Sequence, residues 1–432
     1  MMDSRAFCKS LIESLIQRGA DKVQINLNQS EKTEYNLVYK ELNLLRSMDS
    51  ASLYIMLIKD QRQVTESLNQ LDDESLKAVI DNLFNALESA KPDPAFDIAE
   101  YQKPQSFLDG PLESDQDLMI QRLQEYAQEL KTQYPSVYFD ATLSHTHSQT
   151  VIMNSNGVEV LLERGFYYFM SMFTAKKDGK MSSMNYVSYE IPDLQKSILD
   201  YNQNRELIRQ IEEQTEPKNI PAKFKGDVIV APTILADLTS TLLQSHFSGY
   251  ALLEKISRFP NHLEQKIFSD KLTVANRPRD PRLAMKYFVN PDGYVSREAP
   301  IIEAGVLKHY LMTIYTANKT GKKLSHVSSD NLIIEGGNHS LQEMIQNTTE
   351  GILCMRASYG SPGPLGDMST VAKNSYYIKD GKVRYPVHET MISFNLIDAF
   401  LNIDCFSRET HLLGSTVMPY LKFGEAVISK KD

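Results

Sequence analysis

Cysteine is scarce in this chain. There are three, Cys8, Cys354 and Cys405, with no CxxC spacing. An odd, scattered set builds no disulfide framework and suits a reducing cytosol, so a cytoplasmic location is expected. Basic charge is in deficit: 46 Lys and Arg against 55 Asp and Glu leave a net −9, with no basic run. Such a chain repels a nucleic-acid backbone, and direct nucleic-acid binding is not expected. No window reaches the ~18–20 uninterrupted apolar residues of a membrane span. Residues 1–19 lack a basic start followed by an apolar stretch, so they read as an amphipathic helix and not a secretion signal. Catalytic strings are missing too. No HExxH, HExxxH or GxSxG occurs, and no catalytic Cys–His signature. The glycine-rich run GSPGPLGD, residues 360–367, loses two backbone donors to Pro362 and Pro364, and strand text follows it. That excludes a phosphate cradle and leaves an ordered loop.

What is present is a long chain of ordinary globular composition, and 432 residues predict two domains. Residues 4–18 put Phe7, Leu11, Ile12, Leu15 and Ile16 on one helical face, and Gly19 stops them. Strands follow at 22–28, 35–39 and 52–59, with a hairpin turn at Asp60-Gln61-Arg62. A helix at 73–90 ends before Pro92 and Pro94. After a polar connection, 91–111, the pattern repeats: a helix at 114–132, strands at 137–143, 149–153, 158–162 and 165–174, and a helix at 193–214. The turns Asn154 to Gly157 and Lys177 to Gly179 favour positive φ and hence hairpins. The expected fold is α+β. An N-terminal domain, 1–216, holds helices and antiparallel strands, with two helix–strands–helix units, 1–92 and 112–216, resembling a duplication. Residues 215–224 carry two prolines and mark the boundary. A β-rich domain, 222–432, follows, opening with a strand at 227–231 and a helix at 233–256.

Two constellations read more simply as structure. His145 and His147 share one face of a strand, but no third ligand is evident, and a solvated strand end is expected. Phe166, Tyr167, Tyr168 and Phe169 make both faces of their strand apolar, which predicts a central or covered strand.

The most distinctive stretch is DGYVSREAPIIEAGVLKHYLMTIYTANKTG, residues 292–321: a glycine turn, a short strand, a second turn at Glu303-Ala304-Gly305, another strand, then the segment 313–319. With Gly366-Asp367-Met368-Ser369 and the close through Asp404, Arg408, Gly414 and Ser415, it resembles the TldD/PmbA family, the "modulator of DNA gyrase" proteins. That resemblance implies a cytosolic bacterial metallopeptidase in which one branch carries zinc and the other does not. In the zinc branch, a helix carries two histidines five residues apart, a glutamate after the first and a glycine before the second. Aligned on Gly249 and Glu254, the first ligand position falls on Ser245, the glutamate on His246 and the second ligand on Tyr250. A serine hydroxyl and a phenol are poor zinc ligands at neutral pH, so no zinc is expected in this chain.

The resemblance therefore implies a non-catalytic, PmbA/TldE-like subunit without a cofactor of its own. It would pair with a zinc-bearing TldD-like subunit, or with itself when alone, to enclose a chamber for unfolded peptides. Two alternatives stand beside it. One is an active metallopeptidase with a rearranged metal site drawn from His388, Glu389, Cys405 and His411. His388-Glu389 opens like a zinc motif, but Ile392 and Ser393 hold the places of a second histidine, and Cys405 reads as a partly buried thiol. The other is a pure interaction protein, modulating gyrase or a toxin–antitoxin system.

Overall fold

The computed structural model describes residues 3–38 and 41–431. Tyr39, the last residue of the strand expected at 35–39, lies outside them. The fold is α+β, built on two sheets. In the first, the strand Lys22–Val38 pairs with Glu41–Lys59, which pairs with Arg62–Leu68. On its other side, Lys22–Val38 pairs antiparallel with Val137–Asn154, which pairs with Glu159–Lys177. Gln105–Asp109 runs parallel to one end of Glu159–Lys177, and Asn185–Ile191 runs antiparallel to the other.

The strands are longer than their sequence text. The expected breaks at 29–34, 144–148 and 163–164 do not occur. Polar residues there pair with one another across the sheet, Gln29 with Gln149, Ser30 with Ser148 and Lys32 with Thr146. Backbone pairing continues where the apolar alternation lapses. The turns behave as read: Asp60 and Gln61 lie at φ 50° and 61°, Asp178 and Gly179 at 50° and 76°. These are the values a tight two-residue hairpin requires.

The two helix–strands–helix units are not side-by-side bodies. They share this sheet edge to edge, and each central strand serves both cores. Val23, Ile25 and Leu27 pack with the helices Ser4–Gln17 and Asp73–Ser89, whereas Tyr35 and Leu37, on the same strand face, pack with Gln116–Gln133. The helix expected at 193–214 is shorter. Asn202 takes a positive φ of 56°, and the helix forms only over Asn204–Glu213.

The sheet's other face receives the second domain. Ile152, Val158 and Val160 meet Val289, Tyr294 and Ile314. The polar connection is a strap, not a free linker: Gln102 bonds Gly293 and Val295, and Asn318 donates to the Ala95 carbonyl at 3.0 Å. The second sheet is organised around the long strand Val417–Lys430, which pairs with Phe224–Val230, Thr390–Asn395 and Ile403–Leu412. Its main core packs Leu235, Leu238 and Leu242 of the helix Pro232–His246 against these strands. No helix among the described residues is long and apolar enough to cross a membrane.

Candidate functional site

The helix expected at 233–256 is two helices, Pro232–His246 and Gly249–Leu253. The break has a cause in the block 292–321. The Phe247 carbonyl and the Gly249 N–H leave helical pairing and zip onto Leu311: Leu311 N–H donates to the Phe247 carbonyl, and Gly249 N–H to the Leu311 carbonyl, both at 2.8 Å. Ser248 then caps the second helix through the Ala251 N–H. Residues 251–256 end differently from expectation as well, since Ile256 is exposed and Lys255 turns back with φ 59°.

The block itself is braced for this task. Its short helix, Ile314–Thr320, is closed by a capping box of Thr313 and Thr316, and the Asp292 carboxylate accepts from Ile314 N–H at 2.9 Å. Burial pushes the Asp292 carboxyl up to about 6, partly offset by that hydrogen bond. Gly249 packs directly on this helix. A Cβ there would lie 2.1 Å from Thr316 Oγ1, so only glycine allows the approach. The strand expected after Gly305 is brief, Val306–Leu307, because 308–312 turn away to make these contacts.

The five positions that the resemblance aligns with a zinc motif fall on both sides of the break. Ser245 is half-buried near the end of the first helix, while Glu254 is exposed at the end of the second. His246 is buried against Phe247 and Phe259, and neither ring nitrogen has a partner. Burial, then the charge of Arg258, holds its imidazole below the usual range, so it is neutral at pH 7. Tyr250 is 56% exposed and leans on Tyr315, with ring centres 6.5 Å apart. Tyr315 in turn stacks on Phe96 at 4.9 Å and donates to Asp93. The position is an aromatic surface step. A hydroxyl, a phenol and one imidazole walled by phenylalanine rings do not make a zinc donor set.

The alternative metal site does not assemble. His388 lies just before Thr390, which pairs with Lys430, whereas His411 pairs with Met418. Those partners stand twelve residues apart on one strand, roughly 35–40 Å at the usual strand rise. Glu389 is bound to Lys373 and Lys431. Cys405 pairs with Lys422, and burial, then Asp404, raises its thiol. Among the described residues no three His, Cys, Asp or Glu side chains form a group that could hold a metal ion. His145 and His147 are also explained. His145 is buried in mid-strand, not at a solvated end, and its Nε2 donates to the Pro111 carbonyl at 2.7 Å; His147 faces Glu163 at 3.0 Å.

Two features escaped the sequence. Lys422 is buried on the long C-terminal strand and reaches Asp404 at 3.0 Å, Asp227 at 3.1 Å and the Asn347 carbonyl at 2.8 Å. A lysine inside an apolar strand was the signal, but its partners are remote in sequence. Asp109 is buried where the domains meet, with Lys286 at 2.6 Å and Arg164 at 3.7 Å. Elsewhere, a cleft of about 190 Å³ separates the first sheet from the helix Pro232–His246, between Tyr186 and Asp237.

In the second sheet's domain, then, the end of the helix Pro232–His246 is zipped to a glycine-bounded block. Residues 223–430 match the PmbA/TldA metallopeptidase C-terminal domain. The match covers just under half of the chain, whose C-terminal part is similar to the PmbA/TldD proteins. An uncharacterised protein of Methanocaldococcus jannaschii is 23% identical over 406 residues, 90% of this chain and 93% of its own length. Metalloprotease PmbA of Escherichia coli O157:H7 is 27% identical over 46% of each chain. The crystal structure of TldE from Thermococcus kodakarensis superposes with a TM-score of 0.84 over 98% of this chain and 99% of the other, at 18% identity. That last likeness is one of fold.

Proposed function

We propose that this chain is the non-catalytic, TldE-like subunit of a cytoplasmic two-component metallopeptidase acting on unfolded peptides. What supports the reading is the site just described: Ser245 and Tyr250 fall where the resemblance would put zinc ligands, a helix break lies between them, and His246 packs against phenylalanine rings. In this reading zinc and the water-activating base reside in a TldD-like partner, and this chain forms part of the chamber wall. The aromatic step of Tyr250, Tyr315 and Phe96 would face extended peptide, because flat rings grip apolar side chains without demanding one sequence. Alone, the chain would form a homodimer. Co-expression with a zinc-bearing TldD-like protein tests this. One co-purifying complex, with its zinc bound by the partner, is the expected result. Separate homo-oligomers would overturn it and leave a pure interaction role.

A further inference from the structure

A cleft of about 540 Å³ opens beside the block 292–321, with Glu264 and Glu298 at its rim and Tyr310 in its floor. That is room for a few residues of extended peptide. Its charges do not cancel. Glu264 is matched by Lys308 at 2.7 Å, and Glu298 by Arg277 at 3.3 Å, from outside the cleft. Lys322 lies over the Tyr310 ring, 5.0 Å from its centre, and its Nζ donates to the Pro260 carbonyl at 2.6 Å, a neutral partner. Among the described residues, neither Arg297 nor Lys323 has an ion-pair partner. Three cations therefore line one cleft with no carboxylate to match them, in a chain of net charge −9.

His326 lines the same cleft. Its ring is braced edge-on by Tyr294 at 4.3 Å, and its Nδ1 is buried without a partner. A neutral imidazole can give one N–H to a ligand. Helix electrostatics account for part of this arrangement, since Lys322 and Lys323 follow the C-terminus of Ile314–Thr320, where cations are favoured. They do not account for Arg297 or His326, which come from other segments.

We propose that this cleft binds peptide carboxylate, supplied either by the chain terminus or by acidic side chains, with Arg297 and Lys323 as its principal contacts. A guanidinium can hold a carboxylate through two parallel hydrogen bonds, and a lysine adds a mobile second charge. The proposal rests on the peptide-handling reading and gives it a substrate preference.

The test is calorimetric titration of the full chain with three unstructured peptides of one sequence: a free acid carrying two aspartates, its C-terminal amide, and its asparagine counterpart. The free acid should bind, and the Arg297→Ala/Lys323→Ala double variant should weaken it by about tenfold or more without shifting the unfolding midpoint. Loss of binding in the amide identifies the terminus as the ligand; loss in the asparagine peptide identifies the side chains. Equal binding of all three peptides, or an unchanged double variant, would overturn the cleft while leaving general peptide binding intact. Absence of binding by every peptide would overturn both.

Discussion

At the scale of single residues, Asp292 carries the most consequence. Its carboxyl is buried beside Ile314 and raised to about 6 from an ordinary 3.8. A carboxyl raised on folding holds its proton more tightly in the folded state. Its contribution is therefore best below the unfolded value and is lost as pH rises from about 4 to about 6. Above that window the buried charge is a constant penalty. Asp292→Asn keeps an oxygen for the Ile314 N–H and removes the charge. We expect it to stabilise the protein by about 1–2 kcal/mol near pH 8, a value discounted for partial solvent access, and by nothing near pH 4. Thermal unfolding of both proteins across that range checks the difference. A gain independent of pH would show that charge burial is not the cause. Nothing local marks Asp292 as special in the sequence, where Asp-Gly reads as a turn. Its role appears only once Ile314, twenty-two residues on, is folded back against it.

At the scale of elements, the contact between Gly249–Leu253 and Ile314–Thr320 holds the site in shape. Gly249→Ala places a methyl against the buried Thr316 and should cost about 1–3 kcal/mol in urea denaturation. An unchanged midpoint would mean that the two helices are free to part. The sequence made this region partly legible. Leu235, Leu238 and Leu242 keep helical spacing, and the structure buries them as that spacing requires. The interruption at Phe247 and Ser248 was not legible, because it is imposed by pairing with Leu311 and breaks no local pattern. The same physics explains the first sheet. Turn residues such as Asp60, Gln61 and Gly179 announce themselves through φ. The merging of two expected strands into Val137–Asn154 depends on a partner strand more than a hundred residues away, whose polar residues match its own.

For the whole molecule, the contacts that join the two domains include apolar packing, the strap and the buried ionic group around Asp109. Asp109, 5% exposed at its side chain, neutralises Lys286 across the junction and stands beside Arg164. Asp109→Ala leaves two cations with little water and no counter-charge. The expected loss is about 3–5 kcal/mol, with urea unfolding splitting into two steps as the domains uncouple. A single transition at the parental midpoint would show that the junction does not depend on this group. None of this was visible in the sequence, where Asp109, Arg164 and Lys286 are unremarkable polar residues in separate segments.

The central claim is that this chain is the half that does not hold the metal, and it stands on Ser245, His246 and Tyr250. Zinc content measured on the purified chain by elemental analysis tests it most directly. Far less than one zinc per chain, unchanged in His388→Ala, is the expected result. Near-stoichiometric zinc that is lost in His388→Ala would contradict it and restore the rearranged metal site.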